Sequence, residues 1–173
     1  MAFYSAMDFW GMLTQPLLTT FVVTPGRQHP PKWLAGQYRF IYVKMENIWG
    51  INEEIVTTRD SVRVSDRERP IIDALAHPEY CGGITEIAKG MWIVREKLDL
   101  KKLMKYVAKY KNNVVVKRLE YLLEILKMGG EEISLILKKY IHDRYDIFDP
   151  MLRYENLARN EWHLIDNVHP EHI

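Results

Sequence analysis

The sequence predicts an α+β fold: a small antiparallel sheet with a leading helix, followed by a helical lobe of four to five helices and a C-terminal strand. Up to residue 65, β-branched and aromatic residues form short alternating runs, which are typical of strands. After Asp66 the apolar period changes to 3.6 residues, which is typical of amphipathic helices. We therefore expect an antiparallel sheet subdomain with its leading helix in 1-65 and a helical subdomain with the closing strand in 66-173, together forming one compact unit.

The sheet subdomain begins with a short helix, because aromatic and apolar residues recur at helical spacing from Tyr4 to Leu13, and Gly11 with Pro16 ends the segment. Two β-branched runs follow, separated by a long loop rich in turn residues. Two further runs flank Arg59-Asp60 and alternate in polarity, which predicts a hairpin. The four predicted strands are 19–24, 38–44, 53–58 and 61–65. Most of this sheet is expected to be antiparallel.

The helical subdomain shows successive apolar stripes at 71–75, 84–92, 100–110, 115–126 and 133–141. Asn112-Asn113 and Gly129-Gly130 mark two of the boundaries between them. Each stripe is interpreted as core, because amphipathic helices joined by short turns pack against one another. Trp162 to Val168 predicts a last strand, and the tail from His169 is expected to be frayed.

Composition excludes several classes of protein. A length of 173 residues with 47% hydrophobic and 27% charged residues indicates one globular domain. The 24 Lys and Arg nearly balance the 23 Asp and Glu, so any basic surface must be local. The lone Cys81 excludes an internal disulfide, and no signal peptide or apolar stretch of roughly 18 residues occurs. We expect a cytoplasmic protein that is not embedded in a membrane.

Ser65 and Glu68 fit a capping box, in which each side chain accepts a hydrogen bond from a backbone N–H at a helix start. Pro70 leaves open a start nearer Asp66. Arg67, Arg69 and Asp73 are candidates for an ion-pair network behind this turn. We interpret the whole segment as scaffold.

The third predicted helix presents lysines as a candidate nucleic-acid or partner-binding face. Lys101, Lys105 and Lys109 recur every four residues, opposite Leu103 and Val107. A phosphate backbone or an acidic partner fits such a stripe, although a simply solvated face is the competing interpretation. Further basic residues that extend the candidate set are Lys102, Lys111, Lys117 and Arg118.

No catalytic residues, metal site or cofactor are predicted. The chain lacks a glycine-rich phosphate loop, HExxH, CxxC and a nucleophile elbow. His142-Asp143 and the comb of Asp143, Asp146 and Asp149 are the weak alternatives for a metal-dependent nuclease or phosphohydrolase, but a turn whose carboxylates cap backbone donors explains the comb better. Among the six histidines only His169 and His172 are close in sequence, and they lie in the tail, where no preorganised metal site is expected.

The aromatic residues expected to be exposed are Trp33, Tyr38 and Trp49.

Three segments in this order resemble the second domain of AbiEi-family antitoxins, also described as predicted transcriptional regulators of viral defence systems. The first is Tyr4-Ser5-Ala6-Met7-Asp8-Phe9-Trp10-Gly11, and the second runs from Val64 to Gly83. The third combines 116–124 with the closing segment 160–167. The motif residues to which we assign a structural role are Ser65, Asp66, Arg67, Glu68, Asp73, Trp162 and Asn167.

This resemblance implies a repressor and antitoxin of a type IV toxin–antitoxin system in abortive infection, paired with a nucleotidyltransferase-type toxin that it counteracts without a stable complex. Two features depart from the family pattern. Pro70 stands where the family usually has Thr, and these residues contain no counterpart of the N-terminal winged helix that is expected to bind operator DNA. Whether Met1 is the natural start stays open, as do self-association into a homo-oligomer and the rival role of a stand-alone protein-interaction module.

Overall fold

The computed structural model describes residues 1–153 and 157–168, which form six α-helices and seven strands. The helices are α1 (Tyr4–Phe9), α2 (Arg69–Ala76), α3 (Ile84–Ile93), α4 (Leu100–Tyr110), α5 (Asn113–Ile125) and α6 (Glu131–Lys138). The strands are β1 (Thr20–Thr24), β2 (Tyr38–Tyr42), β3 (Ile51–Ile55), β4 (Ser61–Ser65), β5 (Asp146–Ile147), β6 (Ala158–Arg159) and β7 (Leu164–Asp166). The predicted α+β class, with a leading helix, a helical lobe and a C-terminal strand, is confirmed.

The predicted hairpin around Arg59-Asp60 is confirmed as the antiparallel pair β3–β4, with Ile55 opposite Ser61. The pairing of β1 with β2 corrects the expectation of a mostly antiparallel sheet, because these two strands run parallel, Thr20 opposite Tyr38. Parallel strands need a long connection that returns the chain to the end where the first strand began. The loop between them provides this return and contains a short 3-10 turn at Lys32–Leu34.

The C-terminal strand is confirmed, but it is shorter than predicted and lies at the centre of a small mixed sheet. Strand β7 pairs with β5 in parallel and with β6 in antiparallel orientation. Strands of two residues, such as β5 and β6, carry no periodic signal that a sequence pattern can detect. The tail from His169 lies outside the described residues.

Local signals mark the boundaries of α1, α5 and α6. The Asn112 side chain accepts a hydrogen bond from the Val114 N–H at 3.0 Å and caps α5, and Gly130 precedes α6. Helix α1 ends at Phe9, shortly before Gly11, which adopts a left-handed φ of 69° and ends the segment as predicted.

Helix α2 lies at the centre of the core and contacts α1, α3, α4 and α5. Its apolar residues Ile71, Ile72 and Leu75 are fully buried, as are Leu103 of α4 and Leu119 of α5. The interpretation of the stripes as core is confirmed for α2 and for the inner sides of α3, α4 and α5. It is wrong for part of the last stripe, because in α6 only Leu137 is buried while Ile136 and the following Tyr140 are exposed, and it is wrong for Trp92 at the end of the second stripe. In the part of the chain that the structure describes, no helix combines the length and the apolar character that a membrane crossing requires.

Candidate nucleic-acid interface

Helix α4 presents its lysines to solvent on one side and its apolar residues to the core on the other. Lys101, Lys105 and Lys109 are exposed, while Leu103 and Val107 are buried. Residues four apart in a helix are separated by about 6 Å along its axis, so the three ammonium groups form a row. We call these three residues the α4 lysine face. The helix contains no acidic residue that would neutralise this face.

The start of α4 is set by Asp99, whose carboxylate accepts a hydrogen bond from the Lys102 N–H at 3.0 Å. The left-handed Lys111 ends the helix and is exposed, so it remains available to extend the lysine face. Because Leu103 and Val107 anchor α4 to the core, the row of lysines is held on a rigid element rather than on a loop.

Lys102 differs from the other lysines of α4, because two carboxylates hold its ammonium group. Its Nζ lies 3.2 Å from Asp66 Oδ2 and 3.0 Å from Glu68 Oε2. Burial alone lowers the pKa of Lys102, but the hydrogen bonds to Glu68 and Asp66 outweigh it and raise that pKa. Lys102 therefore joins α4 to the start of α2 and is a poor candidate for a phosphate contact.

Trp49 forms an aromatic platform beside the lysine face. The Lys109 Nζ lies 4.4 Å from the Trp49 ring centroid, and the Arg69 guanidinium lies 3.7 Å from it. Trp49 is consequently half-buried, so the prediction that it is exposed is wrong. The same prediction is confirmed for Trp33, which is 76% exposed. No local signal around Trp49 indicates this contact, because Lys109 lies far along the chain.

Lys117 does not belong to a binding surface, which corrects the prediction. Its side chain is fully buried, and its ammonium group donates hydrogen bonds to the Arg144 carbonyl and, at 2.8 Å, to Asp146 Oδ2. A buried ammonium group needs such partners because it loses its hydration. Lys117 therefore fastens α5 to the segment that enters β5.

Arg118 is likewise a structural residue and not a binding residue. It is 5% exposed, and its guanidinium donates to the Leu75 carbonyl at 2.6 Å and to the Ile147 carbonyl at 3.0 Å. Burial lowers the pKa of Arg118 to about 10, although nearby Asp149 and Asp146 favour the charged form. Arg118 joins the end of α2 to β5.

The predicted Ser65–Glu68 capping box is wrong, and α2 begins at Arg69, later than either predicted start. The side chain that accepts a backbone N–H at this helix start belongs to Asp66. Asp66 Oδ1 accepts a hydrogen bond from the Arg69 N–H at 3.0 Å. Asp66 Oδ2 accepts one from the Tyr106 hydroxyl at 2.5 Å. Burial, together with this bond to Asp66, raises the pKa of Tyr106 to about 12. Glu68 instead accepts a hydrogen bond from the Asp99 N–H at 3.2 Å.

The predicted ion-pair network contains Arg69 and Asp73 but not Arg67. Arg69 Nη2 lies 2.8 Å from Asp73 Oδ1, and both side chains are at most 6% exposed. Burial raises the pKa of Asp73, and the charge and hydrogen bonding of Arg69 oppose that rise. Arg67 instead donates to the Lys97 carbonyl at 2.9 Å and lies 5.0 Å from the Trp10 ring centroid.

Trp162 and Asn167 have structural roles. Trp162 is 3% exposed, and its indole N–H donates to the Glu124 carboxylate. The Asn167 amide exchanges two hydrogen bonds with the Asp149 backbone, at 2.9 Å through its oxygen and 2.7 Å through its nitrogen. Trp162 holds the closing segment against α5, and Asn167 holds it against the turn that follows β5.

The segments that carry the family resemblance contact one another. The Trp10 indole N–H of the first segment donates to the Ser65 carbonyl of the second at 2.7 Å. Arg118 of the third segment donates to the Leu75 carbonyl of the second. These segments therefore form a connected framework around α2, and this framework also holds α4 through Lys102.

The aspartate comb does not converge on one point. Asp146 is held by Lys117, while Asp149 Oδ2 accepts a hydrogen bond from the Ile84 N–H at 2.8 Å and so caps α3. Asp143 is exposed and lies 3.8 Å from His163 Nε2. Residues 1–153 and 157–168 contain no group of three or more potential ligands that could hold a metal ion. His169 and His172 lie outside these residues.

Comparison of the chain with protein-family models, with curated proteins and with solved structures gives no match. The function is therefore inferred from the chain's own residues, from their arrangement in this fold and from the resemblance of the three segments.

Proposed function

We propose that this chain is an AbiEi-like antitoxin and transcriptional-regulator domain of a type IV toxin–antitoxin phage-defence system, which acts in the cytoplasm by binding DNA and not by catalysis. The observation that carries the DNA contact is the α4 lysine face, a row of exposed cations in a chain whose formal net charge is only +1. The order and spacing of the three family-like segments support the regulatory role. No cofactor is required.

The chemistry of the lysine face suits the phosphate backbone of a duplex. Flexible ammonium groups neutralise phosphates and release condensed counterions, which supplies affinity without reading bases. Because the opposite side of α4 is anchored to the core, Lys101, Lys105 and Lys109 extend from one rigid helix with a fixed spacing. The face therefore serves to position the domain on DNA, and base readout falls to other contacts.

The test is fluorescence anisotropy with DNA from upstream of the chain's own gene and with a scrambled duplex, at 50 and 200 mM salt. Each phosphate contact contributes about 0.9 to the slope of log affinity against log salt concentration. The triple variant Lys101→Ala, Lys105→Ala, Lys109→Ala should therefore lose about 2.7 from this slope. Across that fourfold salt range, three such contacts correspond to roughly a 40-fold change in affinity.

The matched control is a triple variant at exposed lysines elsewhere, Lys32→Ala, Lys44→Ala, Lys139→Ala, which removes the same net charge. This control should bind DNA as the wild type does. Equal losses in both triple variants would show that only net charge matters and would overturn the assignment of the face. Tighter binding to the upstream DNA than to the scrambled duplex would support the transcriptional role.

The antitoxin role has a separate test, since DNA binding and toxin neutralisation are different activities. Expression of this chain should restore the growth of cells that produce the partner nucleotidyltransferase-type toxin. Continued growth arrest at matched expression levels would contradict the antitoxin proposal and would leave the DNA-binding proposal to stand on its own test.

A further inference from the structure

A cleft of about 540 Å³ lies between α5, α6 and the segment that leads into β7. This volume falls within the range of small-molecule sites, roughly 300–1,000 Å³. Apolar walls come from Leu123, Met128, Ile133 and Leu135. Glutamates are the more numerous charged residues of the lining, with Glu120, Glu124, Glu131 and Glu161 against Lys127 and Lys138.

Glu120 is the unusual residue of this cleft, because it is a buried carboxylate with an unsatisfied oxygen. The residue is 3% exposed, and its Oε2 has no hydrogen-bond partner among the described residues. A buried carboxylate oxygen without a partner is costly, since it has lost its hydration and gained nothing in exchange. Such an atom in a side chain that lines a cleft indicates a donor that arrives with a ligand and reaches the carboxylate when the cleft side chains adjust.

Trp162 and Glu124 stand beside Glu120 in the lining of the cleft. The Glu124 carboxylate accepts the indole N–H of Trp162 and so fixes the ring. The Lys138 Nζ lies 4.5 Å from the centroid of this ring and 3.4 Å from Glu161 Oε2. An ammonium group therefore already occupies one position between an aromatic ring and a carboxylate, which shows the chemistry that this cleft accepts.

We propose that this cleft binds a primary alkylammonium group, whose N–H donates to Glu120 Oε2 while its aliphatic chain lies along Leu123, Met128 and Ile133. The carboxylates supply the charge complement, and the apolar walls supply contacts for the methylene chain. Two sources carry this chemistry: a free polyamine and a lysine side chain of a partner protein. The site is independent of the α4 lysine face.

The experiment is isothermal titration calorimetry of the full chain with three probes. The probes are 1,5-diaminopentane, the peptide acetyl-Gly-Lys-Gly-amide and the uncharged analogue 1,5-pentanediol. Binding of the diamine or of the lysine peptide supports the proposal and identifies the source, whereas the diol should not bind. Failure of both cationic probes to bind, or binding of the diol as strong as that of the diamine, would overturn it.

Glu120→Gln should weaken binding of the cationic probe about 10- to 100-fold, the range for losing a hydrogen bond between charged groups. The matched control is Glu132→Gln, which removes the same charge from an exposed position of α6 outside the lining. Wild-type affinity in the Glu120→Gln variant, or an equal loss in both variants, would refute the role of Glu120.

Lys138→Met provides a test that does not depend on how the Glu120 variant folds. Removing the resident ammonium group relieves competition for the carboxylates, so the cationic probe should bind several-fold more tightly. Weaker binding in this variant would contradict the proposal. Calcium chloride is the last control, because stronger binding of calcium than of the diamine would identify a metal site and would exclude the ammonium site.

Discussion

Helices α4 and α5 are adjacent in the chain and both carry several charged residues, yet they use them in opposite ways. Three of the four lysines of α4 are exposed, and its fourth, Lys102, is held by carboxylates at the start of α2. In α5, Lys117, Arg118 and Glu120 are all at most 5% exposed. Lys117 and Arg118 donate hydrogen bonds to defined partners, although Arg118 Nε, like Glu120 Oε2, has no hydrogen-bond partner among the described residues.

The difference shows how the surroundings of a helix decide the meaning of its charges. Helix α4 packs on α2, whereas α5 contacts α2 and α6 and reaches the segment around β5 through Lys117 and Arg118. A charge that remains in water costs little and is available for long-range attraction. A charge that is covered must find partners, so it either holds the fold together or marks a position for a ligand.

The largest expected effect is the loss of the buried pair in α5. Lys117→Met leaves the Asp146 carboxylate and the Arg144 carbonyl without their donor, and should lower the free energy of unfolding by about 3 kcal/mol. Urea denaturation monitored by circular dichroism measures this change. Lys101→Met is the control on α4 and should stay within about 0.5 kcal/mol of the wild type. Similar losses in both variants would contradict the contrast between the two helices.

The next largest effect concerns the N-terminal cap of α4 and the N-terminal cap of α5. Asp99→Ala and Asn112→Ala each remove a side chain that accepts a backbone N–H, and each should cost about 1 kcal/mol of unfolding free energy. Replacement of either cap by Ser, which also accepts this bond, should recover most of the loss. If alanine at both positions leaves stability unchanged, the helix starts do not depend on these caps.

A smaller effect is the pH dependence that Glu120 introduces. Burial raises its pKa, while hydrogen bonding of Ser134 and the charge of Lys138 oppose the rise, and Glu124 and Glu161 add to it. The folded pKa of Glu120 lies above its unfolded pKa, so between these two values the native state binds more protons than the unfolded state. Stability therefore falls as the pH rises through this interval. The stabilities of the wild type and of Glu120→Gln should therefore separate as the pH rises from the unfolded pKa of Glu120 through its folded pKa, with the wild type losing stability, and should keep a constant difference outside that interval. Thermal unfolding measured across the pH range checks this, and a difference that does not change with pH would argue against it.

The smallest expected effect is on the α4 lysine face itself. Single replacements of Lys101 or Lys105 by Ala should change the free energy of unfolding by less than about 0.5 kcal/mol, because these side chains are solvated and Ala favours helix. Thermal unfolding checks this directly. A marked destabilisation would show that these lysines serve the fold, and would remove the reason for assigning them to DNA.

Much of the fold was predictable because local patterns and short-range chemistry dominate it. The change of period after Asp66 located the helical part of the chain, and Arg59-Asp60 located the hairpin. The parallel orientation of β1 and β2 was not predictable. The sequence of the loop between them does not indicate whether the chain enters β2 at the start or at the end of β1. The two-residue strands β5 and β6 were missed because tertiary contacts alone define them.

The candidate sites divide in the same way. The spacing of Lys101, Lys105 and Lys109 opposite Leu103 was sufficient to identify an exposed row, because one covered side of a helix leaves the other free. Lys117 and Arg118 were assigned wrongly, since the same kind of pattern does not reveal how many sides of a helix are covered. The cleft at Glu120 was missed, although Glu120 and Glu124 stand one turn apart on α5.

The sequence by itself determined where most of the helices and the β3–β4 hairpin lie, and which side of α2, α4 and α5 is apolar. These properties depend on residues within a few positions of one another, so they can be inferred from the sequence alone. Only the tertiary structure decided that Lys117 is buried beside Asp146, that Lys109 lies over Trp49 and that Glu120 Oε2 is buried without a partner in the part of the chain that the structure describes. Each of these depends on a partner distant in the chain, because desolvation is set by everything that surrounds a group and not by its own helix.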